Sequence, residues 1–104
     1  MSETGTLPGM TRQDRDRSLD TIAGRLRRTR EAFKMNQADW CRLTGIETQA
    51  WNNYESGRRR ISVDQAIKVC QATGVTIDWI YRGLMNTSLP NAIQIELQKR
   101  AKQP

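Results

Sequence analysis

The chain has 104 residues, with 17 Lys and Arg against 11 Asp and Glu, a net charge of +6 and an isoelectric point near 10. That length predicts one domain with a modest core and no room for a large catalytic cleft; the basic excess points to a polyanionic partner, nucleic acid or an acidic membrane face. No apolar run approaches the roughly 20 residues a membrane span needs, and the first ten residues lack the basic start and apolar block of a signal peptide, so the cytoplasm is the expected compartment.

Histidine is absent and the two cysteines, Cys41 and Cys70, are isolated. A zinc site needs four ligands of those types, so no metal is expected, and both thiols read as buried and inert. Without histidine the usual general base and nucleophile activator are missing. No glycine-rich phosphate loop is present and the carboxylates are scattered singly. The chain reads as no enzyme, with no cofactor.

Residues 1–17 carry Thr, Gly, Pro and mixed charge without periodicity and predict a disordered N-terminal arm. Ser18 or Asp20 is expected to cap a first helix, along which Leu19, Ile22, Ala23, Leu26 and Phe33 recur at helical spacing. Arg25, Arg27, Arg28 and Glu31 fall off that stripe. Arg30 falls on it, where a charge needs a partner or an exit to water.

Asn36 is a candidate N-cap for a short helix from Gln37 to about Thr44, apolar at Ala38, Trp40 and Cys41 with Leu43 a further candidate. Gly45 suits the left-handed residue after it. Ile46 plugs the turn, and a second short helix follows to Gly57. Two short helices joined by a tight glycine-containing turn make a helix-turn-helix.

That second helix turns Trp51 and Tyr54 to one side and Thr48, Gln49, Asn52 and Asn53 to the other. A solvated helix face normally carries Lys and Glu; this one carries amides and a hydroxyl, the groups that read base edges in a major groove. Arg58, Arg59 and Arg60 come directly after and can clamp phosphates.

Ser62 and Gln65 form a capping box for a helix with Val63, Ala66, Ile67 and Cys70 on its apolar stripe, ended by Gly74. Thr76 caps a further short helix with Ile77, Trp79, Ile80 and Tyr81. So large an apolar load suits either core or a second subunit, with Trp79, Ile80 and the tail as the expected contact. After a breaker at Asn86–Pro90, residues 91–101 fit a helix better than a strand, because Pro90 suits a first turn and good helix formers follow.

Asn36 through Gly45, Gln49 through Gly57, and Gly74 through Gly83 together resemble the phage-repressor and Cro-like regulators, the xenobiotic-response-element type of helix-turn-helix protein. The resemblance covers about residues 18–84, leaving 85–104 as a C-terminal extension. It implies an all-α fold, a five-helix lambda-repressor-like domain that binds an operator in double-stranded DNA, usually as a homodimer. Carried over position by position, it implies a phosphate contact at Gln37, base reading at Thr48, Gln49 and Asn53, backbone contacts at Arg58, Arg59 and Arg60, and an Arg30–Glu55 ion pair. The chain departs from the pattern at Glu47, which replaces a capping Ser or Thr so that the helix is expected to start at Thr48. It departs again at Trp40, Cys41 and Thr44, in place of Leu, Ala and Leu.

The expected function is a sequence-specific transcriptional regulator, a repressor by preference. A second reading is an antitoxin that autoregulates by binding DNA, with the segment beyond Leu84 holding a toxin partner. A third, an adaptor using the fold without reading DNA, is opposed by the base-capable amides at Gln49, Asn52 and Asn53.

Overall fold

A computed structural model describes residues 19–84 and 90–101, and among them six α-helices and no strand. They are α1 (Ile22–Ala32), α2 (Gln37–Thr44), α3 (Thr48–Ser56), α4 (Val63–Thr73), α5 (Ile77–Arg82) and α6 (Asn91–Ala101). The expected arm, Ser18 and the breaker residues 86–89 lie outside the described residues.

Local chemistry sets the helix starts. Asn36, Ser62 and Thr76 each sit in extended backbone and accept the amide three residues on, at 2.8, 3.2 and 3.1 Å. The first helix starts later than expected. Thr21, not Ser18 or Asp20, is its cap, because the Thr21 hydroxyl reaches the Gly24 amide at 2.9 Å. Helix α3 begins at Thr48, and its N-cap residue Glu47 makes no side-chain capping bond. Between α2 and α3, Gly45 takes φ +78°, a conformation that would strain a residue with a Cβ.

The core is aromatic at the α1–α2–α3 junction. Ring centroids lie 5.9 Å apart for Phe33–Trp40 and 5.6 Å for Trp40–Trp51, while Tyr54 meets Trp51 edge-on at 6.3 Å. Ile46, Ile61, Val69, Val75 and Ile80 fill in around them.

Three expectations are corrected by this packing. On α4, Ala66 and Val69 are fully buried while Val63 and Ile67 are 58% and 40% exposed. At 3.6 residues per turn the inward line is centred about a quarter-turn from the expected stripe. The small Ala66 lets α4 come close, whereas the sequence pattern is drawn by the larger Val63 and Ile67. On α5, Trp79 and Ile80 are buried within this chain, so they are not available to a second subunit. The Trp79 indole donates to Thr29 Oγ1 at 2.8 Å, and Thr29 in turn donates to the Arg25 carbonyl at 2.6 Å.

Arg25 is the third case. Expected off the apolar stripe of α1, it is nevertheless only 6% exposed. Its Nε donates to the Ile80 carbonyl at 3.0 Å and its Nη1 to the Leu19 carbonyl at 2.8 Å. The Ile80 carbonyl belongs to the last turn of α5, which has no intrahelical partner for it. Arg25 therefore closes a helix end, and a cation suits the negative end of the helix dipole. Burial pushes the guanidinium's pKa down, with the Asp20 charge opposing.

The C-terminal segment is helical and joins the core. Leu97 is fully buried and Ile93 half-buried, four residues apart on one side of α6, while Ile95 is exposed. Helix α6 packs on α1.

Leu97→Ala is expected to lower unfolding free energy by about 2–5 kcal/mol, the usual loss for a buried leucine. Ile95→Ala should stay within about 0.5 kcal/mol, as surface changes do. Urea denaturation of both variants measures the difference; equal, small losses would mean that α6 is not part of the cooperative unit.

Candidate nucleic-acid interface

Helix α3 is nine residues long and two-sided. Trp51, Tyr54 and Glu55 face inward and are buried; Thr48 and Gln49 are exposed, and Asn52 and Asn53 are partly so. The four candidate base-reading residues thus share the outer side of one short helix, and none of residues 48–53 is charged.

What holds that side in place is Glu55. Only 2% exposed, its carboxylate accepts from Arg30 Nε at 2.6 Å, Arg30 Nη2 at 3.1 Å, Gln37 Nε2 at 3.0 Å and the Trp51 indole at 2.5 Å. Arg30 Nη1 adds a bond to the Met35 carbonyl at 2.8 Å. One carboxylate therefore ties α1, α2 and α3 together through a bidentate guanidinium, an amide and an indole. Burial pulls the Arg30 pKa down, but the hydrogen bond and charge of Glu55, helped by Glu31, outweigh it and leave it raised. Arg27 stands behind, its Nε 4.0 Å from Glu55 and 3.8 Å from Glu31.

The arginine run leaves the end of α3. Arg58, Arg59 and Arg60 are all exposed. The Arg59 amide donates to the Asn53 carbonyl at 3.2 Å, and Arg58 Nη1 reaches Asn53 Oδ1 at 3.4 Å. The run is thereby folded back against the helix, and one of its side chains rests on a candidate reading residue.

Gln37, expected at a phosphate, is half-buried with its amide nitrogen on Glu55. The second hydrogen on its Nε2 and the Gln37 and Ala38 backbone amides at the start of α2 are the donors left for an anion. Sequence reasoning missed the Trp51 indole, the Met35 carbonyl and Arg27 as parts of the Glu55 cluster. The i,i+4 spacing of Trp51 and Glu55 was a visible signal; the contacts from α1 and its exit are not local.

Of the two thiols expected to be buried, Cys41 is buried and Cys70 half-buried. Burial pushes Cys41 up, against a hydrogen bond from the Thr48 side chain, and burial likewise pushes Cys70 up. Among the described residues no cluster of His, Cys, Asp and Glu fits a metal ion.

Residues 21–82 match the family model of a helix-turn-helix domain. A Rhodospirillum rubrum protein described as an uncharacterized transcriptional regulator in the ATPase CF(0) region is 32% identical over 63 residues, which are 61% of this chain and 58% of that protein. The chain thus spans less than two thirds of that relative's length. No solved structure matches it.

Glu55→Ala is expected to lower stability by about 3–5 kcal/mol, because it strands the Arg30 charge in a half-buried site. Arg30→Met combined with Glu55→Met should lose less than the sum of the two single changes. Melting temperatures across this cycle test it; additive losses would show that the two residues act separately.

Proposed function

Because the chain belongs to the helix-turn-helix domain family, we propose that it is a sequence-specific DNA-binding transcriptional regulator. The observation that carries this reading is the outer side of α3. Uncharged amides and a hydroxyl at Thr48, Gln49, Asn52 and Asn53 are presented by a helix whose back is pinned through buried Glu55. In a major groove those amides can hold adenine through paired hydrogen bonds. Arg58, Arg59 and Arg60 meet phosphates, and the N-terminus of α2 at Gln37 meets another. These contacts supply salt-dependent affinity without sequence information.

The regulator acts as a repressor, by occupying its operator on the nucleoid, in the cytoplasm. It binds as a homodimer on two half-sites about one helical turn apart, ~34–36 Å. With Trp79 and Ile80 buried in their own chain, the exposed Val63 and Ile67, one turn apart on α4, are the apolar surface we assign to the contact. Ile67→Asp should then shift the protein to monomer in sedimentation analysis and weaken binding to paired half-sites more than to a single one. Unchanged sedimentation would place the contact elsewhere.

Selection of bound duplexes from a random pool tests the reading itself; failure to enrich any sequence would remove it. On the selected site, Gln49→Ala should lose ~1–3 kcal/mol, with little loss on random DNA and an intact salt slope. Arg59→Ala should weaken both duplexes alike and lower the salt slope by about one unit. Binding over a salt series separates them: equal loss on both duplexes for Gln49→Ala would make that residue a backbone contact.

A further inference from the structure

Beside the arginine run lies a cleft of about 480 Å3, between the start of α1, the end of α3 and Tyr81 of α5. It is the size of a small-molecule site, typically roughly 300–1,000 Å3, and far larger than one phosphate group requires. Among the described residues its charged lining is Arg25, Arg59 and Arg60 with the carboxylate Asp20. Arg25 is the buried cation of the set. Its two hydrogen bonds go to carbonyls, and it feels the charge of Asp20. Ile22 and Ala23 line the cleft with the first turn of α1, whose opening amides have no intrahelical partner. Tyr54 and Tyr81 supply aromatic wall. The Tyr81 hydroxyl is already committed to the Ile61 carbonyl at 2.6 Å, which holds that ring in place.

Among the described residues, three guanidinium groups and one carboxylate leave an excess of two positive charges in the lining. A phosphomonoester, about −1.5 to −2 at neutral pH, matches that excess. We propose that the cleft binds a small phosphomonoester with an aromatic body, its phosphate on Arg59, Arg60 and the first turn of α1, its ring against Tyr54 and Tyr81. This rests on the DNA-binding reading in one respect: the same Arg59 and Arg60 are the phosphate contacts proposed there. The two anions compete for these arginines, so the ligand acts as an inducer that weakens operator binding. By reciprocity DNA weakens the ligand by the same factor.

The test uses the 15N-labelled full chain without DNA, titrated at constant ionic strength with phenyl phosphate and, separately, with inorganic phosphate. Saturable amide shifts at Ile22, Ala23 and Gly57 are expected with phenyl phosphate, at least fivefold tighter than with inorganic phosphate. Arg59→Ala/Arg60→Ala should weaken phenyl phosphate at least tenfold while keeping the wild-type circular dichroism and melting profile, since both side chains are exposed. Equal affinity for the two phosphates would reduce the cleft to a bare phosphate contact, as on a DNA backbone, and overturn the proposal. Shifts absent from those amides, or unaltered in the double variant, would overturn it as well. The second arm adds the selected duplex. Saturating phenyl phosphate should weaken the duplex several-fold, and simultaneous binding without mutual effect would overturn the inducer role. A chain that binds no DNA would sink the DNA reading while leaving the first arm to decide the site.

Discussion

Glu55 lies on the inner side of α3, where removing its charge from water costs several kcal/mol unless good hydrogen bonds replace the lost hydration. Arg30, Gln37 and Trp51 provide them, and each comes from a different place: α1, the start of α2, and one turn earlier on α3 itself. A hydrogen-bonded ion pair tolerates little change in distance or angle. Satisfying Glu55 therefore fixes how α3 sits on α1 and α2 more sharply than apolar packing alone. Since Thr48, Gln49, Asn52 and Asn53 ride on the opposite side of the same helix, the buried pair aims the exposed amides.

This arrangement puts a packed side and an exposed, amide-bearing side on one helix of nine residues. The inner side of α3 can be optimised for the core, and its outer side can vary without disturbing the fold. Gln37 and Asn53 are where the two meet. Gln37 holds Glu55 with its nitrogen while lying at the exposed start of α2. Asn53 anchors the arginine loop through its carbonyl and accepts from Arg58 through its side chain. Change at either position reaches both the scaffold and the surface.

A second constraint closes the far side of the molecule. Arg25 caps the end of α5, Trp79 bonds Thr29, and Leu97 brings α6 onto α1. Helix α1 is thus the axis against which the remaining elements are placed: Arg30 addresses the α2–α3 side and Arg25 the α5 side. The aromatic load of α5 goes into this closure. The apolar side chains left in water are others, among them Val63 and Ile67.

Most helix ends, though not the start of α1, and the amide-lined side of α3 were legible from neighbouring residues. Caps at Asn36, Ser62 and Thr76, the left-handed Gly45, the start of α3 at Thr48 and the amide-lined outer side all follow from interactions within one turn or one helical period. Such interactions are written in adjacent residues. The Arg30–Glu55 pair was half legible: a charge on an apolar stripe demands a partner, but only a resemblance pointed to Glu55. Tertiary structure decided which way α4 faces, the burial of Trp79 and Ile80 in their own chain, the internal role of Arg25 and the seat of Leu97 in the core. Each depends on a neighbour distant in the chain. Arg25 meets a carbonyl 55 residues away, and whether a side chain is inside is settled by what packs over it, which helical periodicity does not contain.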